Sequence, residues 1–87
     1  MNRGWFDQVV PIVLATRPNV VHRVNNAVQA DRFLAEGWPI RSTEKHLAAR
    51  RACVAVLRGQ REAAFARRAF AEAAEEARIL GVDNEPG

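Results

Sequence analysis

The order of apolar and polar positions predicts two strands followed by three helices. Val9, Val10, Ile12, Val13 and Leu14 form a β-branched apolar run, and Val20, Val21 and Val24 form a second. Arg17-Pro18-Asn19 lies between them. Proline presets φ at the first central position of a turn, and asparagine tolerates the second. These features predict a β-hairpin over about residues 9–24. Pro11 has no N–H for a ladder, so it belongs on an edge strand or at a strand's beginning. Trp5 and Phe6 precede the run and are expected to pack over the rim of the core. Two strands alone are marginal in water and need helices against one face. Their open edges are either a liability or an interface.

After the hairpin the apolar spacing changes to three and four. Asn25-Asn26 offers an N-cap, and Val24 precedes it as a staple. Ala27, Ala30, Phe33 and Leu34 share a face, which predicts a helix over 26–36 stopped by Gly37. Trp38-Pro39-Ile40 is extended, because the residue before proline avoids the helical region. It is either a linker with Trp38 turned inward or a short third strand beside the hairpin. Ser42 or Thr43 caps a second helix over 43–58, with Glu44 in its first turn and Gly59 as its stop. A third helix is expected over 61–80, followed by a polar tail over 81–87. The short break at Gly59 makes the last two helices an antiparallel pair. The expected fold is α+β in ββααα order, one domain spanning residues 1–87.

The helical faces can be drawn at about 100° per residue. In the second helix His46, Ala49, Cys53, Val54, Val56 and Leu57 share one broad arc, with Leu47 at its border and Arg50 inside it. In the third helix Ala66, Ala69, Phe70, Ala73, Ala77 and Leu80 form the inward stripe. Phe65 and Ile79 fall toward its polar side and, with the sheet edges, suggest a self-association surface.

Composition narrows the functional classes. The chain has 87 residues, and 16 of its apolar residues are alanine, so the core is thin and its helices must approach closely. Net charge is +3, with 12 arginines against one lysine. That balance admits nucleic acid as a partner. The charge is uneven, however. Residues 41–68 hold eight bases and two acids, while residues 69–87 hold one base and five acids. A chain divided in this way can pair with itself or with another protein as well as with phosphates. One cysteine permits no internal disulfide, no apolar stretch approaches a membrane span, and no leader pattern is present. A cytoplasmic protein without a membrane association is expected.

A resemblance rests on an ordered set of residues. Trp38-Pro39, His46, Ala49, Cys53, Val56-Leu57-Arg58-Gly59, Ala66-Arg67-Arg68-Ala69-Phe70, Ala73-Ala74, Glu76-Ala77 and Ile79 resemble a small bacterial family, the domain of unknown function numbered 982. The resemblance runs from about Val9 to Leu80. The family commonly carries a glycine shortly after the Trp-Pro pair, where this chain has Ile40-Arg41-Ser42-Thr43. The resemblance implies the fold and lends no established activity.

The chemistry-bearing residues read mainly as structural. His46 and Cys53 lie seven residues apart, about 10 Å along a helix axis, too far for direct pairing. No CxxC or HxxxH spacing supports a metal, and no cofactor is expected. The two read as a hydrogen-bonded core histidine and a buried thiol. Arg50 must snorkel, pair with Asp31 or Glu36, or await an anion. Trp38 reads as core, with a recognition surface as the alternative. Arg51, Arg58 and Arg61 read as a solvated face, with phosphate contact as the alternative. There is no GxSxG and no glycine-rich phosphate loop. The expected function is a noncatalytic protein-interaction or regulatory module that can self-associate. The alternative is a nucleic-acid-binding accessory protein using Arg41, Lys45, Arg51, Arg58 and Arg61.

Overall fold

The fold was read from a computed structural model, which describes residues 4–81. Strand β1 (Trp5–Ile12) pairs antiparallel with β2 (His22–Asn26), and the helices α1 (Ala27–Ala35), α2 (Glu44–Leu57) and α3 (Ala63–Glu76) follow. The order is ββααα and the class is α+β. The polar tail beyond Gly81 lies outside the described residues.

The expected turn is present. Val20 N–H donates to the Arg17 carbonyl at 3.1 Å, which places Pro18 and Asn19 at the two central positions. A second turn, Arg17 N–H to the Leu14 carbonyl at 3.0 Å, precedes it. The paired strands lie further from this turn than the apolar runs suggest. Val20 and Val21 are exposed, and Trp5 and Phe6 belong to β1 itself. The ladder joins Ile12 to His22 and Val10 to Val24, then shifts register before Trp5 meets Asn26.

Both sheet edges find partners within the chain. Val13 N–H donates to the Ile79 carbonyl at 2.7 Å, and Gly81 N–H donates to the Pro11 carbonyl at 2.8 Å. Residues 79–81 thus run beside β1, with an antiparallel bridge at Ile12 and Leu80. In a strand the N–H and C=O of one residue point the same way, so the donor that Pro11 lacks faces away from β2. On the other side, Asn25 N–H donates to the Gln29 side chain at 3.0 Å. The third extended segment beside the hairpin is therefore residues 79–81, which follow α3. Trp38-Pro39-Ile40 is a linker with Trp38 buried.

Caps define the helices. The Asn26 side chain accepts from Gln29 N–H at 2.7 Å, and the Thr43 hydroxyl accepts from His46 N–H at 3.1 Å. Helix α2 closes with paired bonds, Gly59 N–H to the Val56 carbonyl and Gln60 N–H to the Ala55 carbonyl, around Gly59 at φ +77°. Helix α3 closes in the same way, with Arg78 and Ile79 donating to the Glu75 and Ala74 carbonyls. There the left-handed residue is Arg78, at φ +59°. The third helix therefore ends at Glu76 and not at residue 80. The reversal turns Ile79 into the core and leaves Leu80 exposed.

The core lies between the sheet and the helices. Val10, Ile12 and Val24 face Leu34 of α1 and Phe70 of α3, all of them nearly or fully buried. Each large side chain contributes roughly 1.5–3 kcal/mol through removal from water. Helix α2 packs against both α1 and α3. Its buried side is built from Ala49, Ala52, Cys53 and Val56, small enough to let the neighbouring backbones approach.

Candidate functional site

The candidate residues separate into two structural settings. The first is the end of the molecule where the three helices meet. His46 is buried there, at 3% exposure. Its Nε2 lies 2.8 Å from the Leu34 carbonyl, and its Nδ1 lies 3.1 Å from Ser42 N. A carbonyl only accepts and a backbone N–H only donates. Nε2 therefore carries the proton and Nδ1 is the acceptor. Thr43 completes the junction by donating its hydroxyl to Glu76 of α3 at 2.6 Å. The last turns of α1 and α3 are thus both tied to the start of α2. Trp38 packs over this junction, with ring centroids 5.4 Å from Phe70 and 6.4 Å from His46. It is core rather than a recognition surface. Ser42, which donates to His46, sits at φ +65°, the region that a glycine enters without steric cost.

Cys53 lies deeper in the same helix and is fully buried. Burial, then the nearby Asp31 carboxylate, push its thiol from 9.0 up to about 12, while Arg50 opposes the shift. The thiolate needed for nucleophilic or redox chemistry is therefore negligible near neutral pH. Arg50 Nε donates to Asp31 at 3.3 Å, so of the two acids proposed for it, Asp31 is the partner. Both side chains are partly solvated, which limits what this pair contributes. Among the described residues, no three of His, Cys, Asp and Glu gather as a metal site would require.

The second setting is the outer side of α2. Leu47, Val54 and Leu57 are exposed at 39%, 38% and 37%. The buried arc expected from the sequence included Val54 and Leu57; the observed arc is rotated away from them and includes Ala52. The reason is steric. Helix α2 lies between two other helices, and apart from His46 and Val56 its inward positions carry small residues, which permit a closer approach than leucine. Arg51 and Arg58 share the outer face, and neither forms an ion pair among the described residues. Leu47, Arg50, Arg51, Val54 and Arg58 line an open groove of about 490 Å³.

Of the remaining basic candidates, Arg41 is exposed, while Lys45 and Arg61 are engaged elsewhere. Lys45 pairs with Glu72 at 3.1 Å across the junction of α2 and α3. The Arg61 guanidinium lies 4.0 Å over the Phe65 ring, beside a different groove of about 440 Å³. Phe65 is only partly buried, but Arg61 covers it, and Ile79 is buried. The apolar residues suspected of marking a self-association surface thus find partners inside the molecule. The sequence placed Val54 and Leu57 in the buried arc and Leu47 at its border, whereas all three are exposed. Their signal was a spacing of three and four that includes Arg50, as in a coiled-coil seam.

The sequence profile of a family described as "Protein of unknown function (DUF982)" matches residues 10–81. The chain belongs to this family. The chain is also similar to the Agrobacterium tumefaciens protein Atu1219, whose structure was solved by NMR. Identity is 31%, the match covers 99% of this chain and 86% of that one, and the TM-score is 0.76. Comparison with curated proteins produced no match. The DUF982 relationship supports the fold and indicates no specific activity. Among the described residues, no helix is long and apolar enough to cross a membrane.

Proposed function

We propose that this DUF982 protein is a noncatalytic interaction module that works in the cytoplasm and binds protein through the outer face of α2. One observation carries the reading: α2 buries Ala49, Ala52 and Cys53 while holding Leu47, Val54 and Leu57 at the surface beside Arg51 and Arg58, which form no ion pair among the described residues. Burying exposed aliphatic area is favourable by roughly 25 cal/mol per Å², which makes this face the natural place for a partner. The side chains most suited to chemistry support the same view. His46 has both ring nitrogens in hydrogen bonds, and the Cys53 thiol is buried and protonated. A free buried thiol also suits a reducing compartment.

The nucleic-acid reading is weaker on geometry. Of its basic residues, Lys45 is paired with an acid, and Arg61 lies on an aromatic ring. Arg51 and Arg58 alternate with aliphatic side chains, whereas a single-strand surface interleaves charge with stacking aromatics.

Affinity purification from native lysate tests the proposal, with and without nuclease and with Val54→Asp beside the wild type. A protein retained after nuclease by the wild type and lost by the variant is the expected result. Retention that depends on nucleic acid, or no protein retained at all, overturns it.

A further inference from the structure

We infer that the occupant of the α2 face is a second copy of this chain, with the two α2 helices packed antiparallel about a two-fold axis. The inference rests on the interaction reading above and names its partner. Leu47, Arg50, Val54 and Leu57 occupy the alternating three- and four-residue positions of a helix-pairing seam, and Arg51 and Arg58 flank it one position further on. Glu44 occupies the same flanking position one heptad earlier and is exposed.

This pattern is complementary to its own reverse. When α2 is laid antiparallel on a copy of itself, Leu47 meets Leu57 of the second copy at each end of the seam. Val54 meets the aliphatic stem of Arg50, which can keep its charged head toward Asp31 and water. Glu44 then faces Arg58 of the second copy at both ends, and neither forms an ion pair among the described residues of its own chain. Only Arg51 meets its own counterpart, near the axis, where solvent screens the repulsion. A parallel pairing gains none of this, because the opposite flank of the seam is His46 and Cys53, both buried. Twofold symmetry also closes the assembly at two copies.

The seam spans one helix of 14 residues, about 21 Å long. Such a contact is smaller than a standard interface, so the dimer is weak, with a Kd on the order of 10–100 μM.

Sedimentation equilibrium of the full chain up to roughly 1 mM tests the inference, with heteronuclear NMR shift mapping to locate the contact. A monomer–dimer equilibrium is expected, with concentration-dependent shifts along residues 44–58. Val54→Asp should abolish association; its side chain is exposed, and an unchanged circular dichroism melt shows that the fold survives. Glu44→Arg and Arg58→Glu should each weaken dimerisation by about fivefold, and the double exchange should restore it. Arg51→Gln should tighten it by about threefold, since it removes the only like-charge contact. A folded wild type that stays monomeric, or a dimer indifferent to Val54→Asp, overturns the inference. So does an Arg51→Gln variant that associates less. If the chain is monomeric yet the lysate experiment recovers a different protein through Val54, the interaction reading stands and the self-pairing does not.

Discussion

The two sides of α2 divide their residues in opposite ways. The inner side holds Ala49, Ala52, Cys53 and Val56 against α1 and α3, with His46 hydrogen-bonded at its end. The outer side holds Leu47, Val54 and Leu57, the larger aliphatic residues, among arginines. On a helix packed from one direction, the largest apolar residues would face inward. A helix wedged between two others is limited by how closely backbones can approach, and alanine permits the closest approach. The inner side is thus specified by small volume and satisfied polar atoms. The outer side keeps apolar area available for association. The same contrast recurs at the end of the chain, where Ile79 is buried and Leu80 is exposed.

The largest expected effect sharpens this contrast through pH. The thiol of Cys53 ionises near 9.0 when the chain is unfolded and near 12 when it is folded. Below pH 9 the thiol is protonated in both states and its contribution is fully present. As pH rises toward 12, only the unfolded chain releases the proton, so stability falls. Three units correspond to about 4 kcal/mol by pH 12. Urea melts should show this loss for the wild type relative to Cys53→Ala. A thiol reagent at pH 8 should leave the folded protein unmodified. Rapid labelling without unfolding would mean that the inner side is open.

His46→Ala should cost about 3 kcal/mol in a urea melt, because it leaves a cavity and strips the Leu34 carbonyl and Ser42 N–H of their partner. A loss below about 1 kcal/mol would show that the junction does not depend on the imidazole. Next in size is a paired comparison across the helix. Ala49→Leu should cost about 2 kcal/mol through overpacking, while Val54→Ser should stay within about 0.5 kcal/mol. Equal costs would erase the distinction between the sides. The smallest effect concerns the reversal after α3. Arg78→Gly should raise stability by about 0.5–1 kcal/mol, since glycine enters the left-handed region without a Cβ clash. A loss would show that the Arg78 side chain itself holds the turn.

Much of the architecture was legible in the chain. Pro18-Asn19, Asn26, Gly37, Thr43 and Gly59 each act through local backbone chemistry, and each marks the boundary it was expected to mark. His46, Cys53 and Arg50 were also readable as structural residues, because buried polar groups require partners. The rotation of α2 was not legible. Hydrophobicity ranks Val54 and Leu57 above Ala52, and only the presence of helices on two sides reverses that ranking. The end of α3 was hidden for a related reason. Arg78 carries no glycine signal, yet it takes the glycine conformation where Ile79 gains burial by turning inward.

The order of elements, the turn and the caps of α1 and α2 were therefore determined by the sequence alone, since each depends on a few neighbouring residues and on the allowed backbone angles. Which side of α2 faces the interior, and which segment runs beside β1, was decided only in three dimensions. Those choices depend on the volume left between elements distant in the chain, and no local pattern records that volume.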